Sequence, residues 1–268
     1  MPRPPGFYFL ENLIRGRSLI YQLVRRDFEQ RYVGSIVGWL WGVVHPLVLL
    51  AVYTFVFQYA FGQRLVGQVT DNYPLFLMCG MLPWMLFAET LQRSSTAIVE
   101  HSNLIKKSVF PSEVVPLSIY LSGLVSHMLA LVMLVVAVGV WIGGLTPAIL
   151  ILPVYFVLLG LLSLGFGWIL GGLHVYLRDT AQVLLVALTA WFWLTPIFMT
   201  ETTLGNLLPG WVQWNPLTYF VRGYRLSILG GELPAASDFL ILAGFAAASF
   251  LLGGLFFRQT KRGFADVL

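Results

Sequence analysis

The sequence predicts an all-α polytopic membrane protein, and three observations carry that prediction. Of its 268 residues, 58% are hydrophobic and only 10% are charged, with a mean hydropathy of +0.80, far from the mix of a water-soluble domain. The apolar residues fall into six stretches near the ~20 residues that a spanning helix needs, which leaves no room for a sizeable soluble domain. The 16 Lys and Arg residues are distributed on one side: with the N-terminus inside, all but Arg64, Arg222 and Arg225 lie on the cytoplasmic face. Both termini are therefore expected in the cytoplasm. The single Cys79 lies in an apolar stretch and can form neither an intrachain disulfide nor, alone, a metal site.

Residues 7 to 32 read as an amphipathic interface helix, with Leu13, Leu19, Ile20, Leu23 and Val24 set among Arg15, Arg17, Arg25, Arg26 and Arg31. The first long apolar run begins near Ile36. It is too long for the hydrophobic region of a signal peptide and follows this charged stretch, so it is expected to stay in the protein. The first span, 36 to 61, carries Gly34, Gly38 and Gly42 at four-residue spacing, which would put all three on one helix face for close helix or dimer packing. A polar loop leads to the second span, 73 to 91, where Glu89 and Arg93 stand four apart and can pair. Span three covers 114 to 142 and ends at Gly143-Gly144. Span four, 149 to 176, has a small-residue stripe of Ser163, Gly167 and Gly171. Span five, 181 to 199, ends in Trp191, Phe192, Trp193 and Pro196, and span six runs from 238 to 257.

The longest polar segment between spans is Arg93 to Glu113. Ser102-Asn103 reads as a helix N-cap, and residues 102 to 110 then mix Leu104, Ile105, Val109 and Phe110 with Lys106 and Lys107 before Pro111. A short helix with four apolar side chains at the membrane face needs a cover. It either lies among lipid headgroups or docks a cytoplasmic subunit. On the outer side, 200 to 233 is too apolar for a water-exposed loop and too broken by Pro209-Gly210 and Asn215-Pro216 to span. It is expected to form a re-entrant hairpin closing an outer gate.

Several function classes are excluded. No GxxxxGK[ST] motif is present, so ATP and Mg would be handled by another chain, and no cofactor is expected in this one. Ion-coupled transport has little to use beyond Glu89 and scattered histidines, of which His45, His127 and His174 read as packing residues. An intramembrane hydrolase built on Ser163 and a histidine is the other class, but position 161 is Leu, which breaks the GxSxG elbow, and HExxH is absent. An enzyme is not the expected class.

Five segments together carry a resemblance: RRDFEQRYVGSIVGWLWGVVHPL (25 to 47), YPLFLMCGMLPWMLFAETL (73 to 91), NLIKKSVFPSEVVPL (103 to 117), RDTAQVLLVALTAWFWLTPIFM (178 to 199) and NPLTYFVRGYR (215 to 225). In this order the chain resembles the permease subunit of polysaccharide and polyol-phosphate ABC exporters, within the ABC-2 transporter group. The resemblance implies six spans, a homodimer with the pathway between subunits, two copies of a cytoplasmic ABC ATPase, and a lipid-linked glycan cargo crossing the bacterial cytoplasmic membrane. O-antigen, capsule and teichoic acid remain open as cargo, and a lipid or drug exporter of the same group is the runner-up.

By the same resemblance, Asn103, Leu104, Ile105, Lys106, Lys107 and Phe110 belong to the coupling helix, with Arg26, Gln30 and Arg31 on the interface helix beside it. Aromatic faces stack on the apolar side of a pyranose, so Tyr53, Phe57, Tyr59 and Trp84 are candidates for a substrate surface, with ordinary core or lipid packing as the alternative. Arg222 and Arg225 lie three apart in the hairpin. They either pair with Glu201, Glu232 or lipid phosphate, or receive the diphosphate of the lipid carrier.

Overall fold

The computed structural model describes residues 17–32, 38–63, 65, 68–105 and 111–267. Helix α1, Arg17–Tyr32, packs along the third long helix through half-buried Leu19, Ile20, Leu23 and Val24, while Tyr21, Arg25 and Arg26 stay exposed. Arg25 donates to Glu29 at 2.8 Å one turn on, which raises its already high pKa. Residues 7 to 16 of the expected interface helix lie outside the described residues.

The first span is α2, Trp41–Thr54, preceded by a 3-10 turn at Gly38–Leu40 and continued by a π-helical turn at Phe55–Ala60. Here the expected glycine face is corrected. Gly38 adopts φ +57°, a left-handed conformation that ends a regular helix on its N-terminal side, so it shares no continuous helical face with Gly42. Gly34 lies outside the described residues. α2 is the most exposed of the long helices.

At the centre stands α3, Tyr73–Glu100, whose N-terminus is capped by Asn72: the Asn72 side chain accepts from the Leu75 amide at 3.2 Å. It is buried on nearly all sides. The helix runs nine residues past the expected end at Leu91, and the reason lies in its inner end. Ser94 and Ser95 are buried there, and Ala97 and Ile98 pack with Val115, Ile119, Trp168 and Phe257, so this polar-looking stretch is core.

α4, Ser102–Ile105, follows directly. α5, Val114–Trp141, crosses back to a turn at Gly143, φ +88°. After a 3-10 turn at Pro147–Ile151, α6, Leu152–Tyr176, packs on α3 by pressing Gly167 and Gly171 against Ser94. Its most extensive contact is with the last long helix, α11, Ala236–Thr260, where Gly165 and Gly253 let the two backbones touch. Gly167 and Gly171 of the stripe expected in span four thus mark a close helix approach.

α7, Thr180–Trp193, is shorter than expected. It has 14 residues, about 21 Å at 1.5 Å per residue, and the chain from Leu194 to Thr200 is not helical, so the helix expected to reach Met199 ends at Trp193. Among the described residues, five helices are long and apolar enough to cross a membrane: Trp41–Ala60, Tyr73–Glu100, Val114–Trp141, Pro147–Tyr176 and Ala236–Gly263. Between α7 and α11 the chain forms α8, Glu201–Leu207, α9, Trp211–Trp214, and α10, Pro216–Arg225, which a π-helical turn continues to Gly230. Pro209-Gly210 and Asn215-Pro216 break these pieces as the sequence indicates, with Gly210 at φ +81° and the Asn215 side chain accepting from the Leu217 amide. α10 packs chiefly on α3 and is almost entirely buried. A short α12, Phe264–Val267, closes the described chain.

Candidate functional site

The inner end of the bundle assembles around charged groups that the apolar helices cannot leave unpaired. The guanidinium of Arg93, on α3, grips both carboxylate oxygens of Asp27, on α1, and lies 3.7 Å from Glu89 one turn earlier. This paired fork fixes the interface helix to the central helix. Between them opens a crevice of about 210 Å³ lined in part by Arg26, Asp27, Arg93, Glu100 and His101. α4 projects from its rim. Asn103 is exposed there, and Ile105 packs on the Ala97 and Ile98 cluster. The side chain of Leu104, the residues Lys106, Lys107 and Phe110, and the side chains of Gln30 and Arg31 lie outside the described residues.

Where the chain re-enters the bundle, Glu113 is buried at the start of α5. Its carboxylate accepts from Lys261 Nζ at 2.8 and 2.9 Å, and its backbone carbonyl accepts from the Trp168 indole at 3.1 Å. Asp27, Glu113 and Lys261 were missed by the sequence reading. The available signal was that a carboxylate flanking an apolar span, as in Pro111-Ser112-Glu113, needs a cationic partner.

At the outer end, Arg222 and Arg225 part company. Arg222 Nε donates to both oxygens of Glu201 at 3.0 Å, and its Nη1 donates to Asp238 at 2.8 Å, so α8, α10 and α11 meet at one guanidinium. Glu201 is one of the pairing acids considered from the sequence, and Asp238 is an addition. Arg225 is only 5% exposed: it donates to the carbonyls of Phe76 and Ile197 at 3.3 and 2.8 Å, and its guanidinium carbon sits 3.4 Å from the centre of the Phe76 ring. For Arg222 the geometry matches the first of the two alternatives, pairing with Glu201. It is committed to two carboxylates, and Arg225 is inside the protein.

The four aromatic candidates also separate. Trp84, 6% exposed, packs on Phe87, Trp191 and Phe192 and is core, which overturns its place in a substrate surface within this chain. Tyr53 and Phe57 are half-buried against Phe198, with Phe57 stacked on it at 4.7 Å between centroids. Tyr59 points elsewhere and is 73% exposed. His127 and His174 are buried, and His127 Nε2 lies 3.0 Å from the Tyr224 hydroxyl.

With this geometry in place, the comparisons with known proteins are informative. A family model described as ABC-2 type transporter matches residues 18–229. The chain is 26% identical over 262 residues to the O-antigen export system permease protein RfbA of Myxococcus xanthus, covering 96% of this chain and 98% of that protein. It is 27% identical over 257 residues to the protein of the same name from Klebsiella pneumoniae, covering 94% and 95%. To the polysialic acid transport protein KpsM of Escherichia coli it is 23% identical over 243 residues, covering 89% and 92%.

Proposed function

Because the chain belongs to the ABC-2 type transporter family, we propose that it is the membrane permease of an ATP-driven exporter that moves a lipid-linked polysaccharide, O-antigen first among the candidates, across the bacterial cytoplasmic membrane. One observation carries the cargo: the similarity to O-antigen export permeases runs through almost the whole of both chains. The weaker match to KpsM supports capsular polysaccharide as the second reading.

In this reading two copies form the pathway between them, and the exposed α2 belongs to that shared surface. Two separate ABC ATPase subunits bind ATP and Mg. They dock on α4 with the residues up to Phe110 and on α1, and both termini are cytoplasmic. The pairing of Arg93 with Asp27 supports this, since it makes α1 and the inner end of α3 move together when either is pushed. The outer pieces α8 to α10 close the pathway.

The test is deletion of the gene followed by electrophoresis of surface glycans alongside a panel of drug sensitivities. Loss of the polymer ladder, with polymer retained inside the cell, is expected. An unchanged ladder with new drug sensitivity would instead identify a lipid or drug exporter.

A further inference from the structure

Two recesses border the inner half of the bundle, and they differ in chemistry. A groove of about 440 Å³ between α1 and α5 is lined by Ile20, Tyr21, Val24, Leu121, Leu124, Val125 and Met128, with no charged group, as an acyl chain would require. The other, of about 200 Å³, lies between α2, α3 and α5. Its walls are apolar, from Leu82, Met85 and Leu86, but Trp41, His45, Glu89 and Ser126 also line it. Gly42, Gly123 and Ala130 provide the space by being small. Its back is fixed by His127, held by Tyr224.

We propose that this second recess is a sugar-binding subsite that receives one ring of the lipid-linked glycan at the inner leaflet, before transport. The inference rests on the reading of the chain as a glycan exporter and names a place for the cargo within it. Depth comes first. Arg93 is tied to the interface helix, and Glu89 lies one turn, about 6 Å, further along α3 toward the membrane centre, where a carrier lipid would bring its head and first sugars.

Size and chemistry follow. A water molecule takes about 30 Å³ of liquid volume, so about 200 Å³ suits one ring-sized group and is smaller than the ~300 Å³ at which sites for drug-sized ligands begin. Trp41 is 50% exposed at the mouth, and its flat indole offers an apolar face to the C–H side of a pyranose. The Glu89 carboxylate can accept from sugar hydroxyls, a charge-assisted bond worth more beside an apolar wall than in water. His45 is exposed on α2, with no hydrogen bond recorded to it among the described residues. A carboxylate, an imidazole and a serine are poor company for an acyl tail, and the neighbouring apolar groove shows what a tail would be given instead.

The test captures the occupant. Trp41→p-benzoylphenylalanine and His45→p-benzoylphenylalanine, each co-expressed with the ATPase partner in cells supplied with radiolabelled sugar, are irradiated. Leu240→p-benzoylphenylalanine, on the exposed face of α11, serves as the lipid-facing reference. Labelled carbohydrate should become attached at 41 and 45 and not at 240. In parallel, Trp41→Ala should lower polymer export at least tenfold with the yield of assembled complex unchanged, and Trp41→Phe should keep about half. Capture of phospholipid alone at 41 and 45 while polymer still reaches the surface would overturn the subsite, as would wild-type export by Trp41→Ala. If cells lacking the chain altogether still export the polymer, the failure is that of the exporter reading and not of the subsite.

Discussion

Lys261, at the C-terminal end of α11, reaches back to the buried carboxylate of Glu113 and holds both of its oxygens, at 2.8 and 2.9 Å. This joins the end of the last long helix to the residue that precedes α5. Removing one partner strands the other. Lys261→Ala should destabilise the protein by up to about 3 kcal/mol, below the range for fully buried pairs because the lysine keeps a third of its side-chain surface in solvent. Thermal unfolding in detergent would measure this, and exchanging the two residues, Glu113→Lys with Lys261→Glu, should restore part of the loss. If Lys261→Ala melts like the wild type, the pair has no structural weight.

Helix contact between α6 and α11 depends on two positions that tolerate no side chain. A methyl group at Gly165 would overlap the Ser249 carbonyl, and one at Gly253 would overlap the backbone of Gly165. Gly165→Ala and Gly253→Ala should each lower stability by several kcal/mol or prevent accumulation, since backbone cannot yield as a side chain can. Gly139→Ala, with open space around it on α5, is the control and should be neutral or slightly stabilising. Yield and melting temperature of the three variants decide the matter.

Arg225 bridges α10 to the carbonyls of Phe76 and Ile197, so its loss should loosen α10 from the central helix. Arg225→Lys supplies one compact ammonium where a planar fork spans two acceptors, and it should recover little. Arg222→Ala acts differently, by leaving Glu201 and Asp238 without their shared cation. Both variants should reduce thermal stability, with Arg225→Ala the worse because its site is fully buried. A stable Arg225→Ala protein that fails only in export would return Arg225 to the pathway.

At the coupling face, the expected driving force is apolar burial. Leu104→Asp should abolish co-purification of the ATPase subunits, because it would bury an unpaired charge. Lys106→Ala should weaken it by about fivefold or less, the scale of an ion pair in water. Intact recruitment by Leu104→Asp would remove α4 from the docking surface.

Much of this architecture was legible because hydropathy and helix breaks are local signals. The starts of α3, α5 and α10 follow from Asn72, Pro111 and Asn215-Pro216, which act within a few residues of themselves. The ends of α3 and α7 were misread for opposite reasons. Ser94 and Ser95 look polar, yet both are buried, and Ser94 is the small residue that meets Gly167 and Gly171. Pro196 to Met199 look spanning, yet their backbone leaves the helix. The fates of Trp84, Arg222 and Arg225 depend on partners more than 100 residues away or across the hairpin, which no local pattern encodes.

The shortness of α7 has a consequence for the surrounding lipid. Its ~21 Å falls about 9 Å short of a typical hydrocarbon thickness of ~30 Å, and three carbonyls beyond Trp193, those of Leu194, Ile197 and Phe198, are met by donors from elsewhere. The Trp211 indole reaches Leu194, Arg225 reaches Ile197, and Gln63 with the Tyr73 hydroxyl reaches Phe198. With these three carbonyls satisfied, the exposed flank of α7, spanning as the proposed permease requires, would set a local thickness that the adjoining bilayer matches by thinning. The protein should therefore be softest and most active in short-chain lipids. Lengthening the acyl chains should strain this flank first, before any of the five longer helices registers a mismatch.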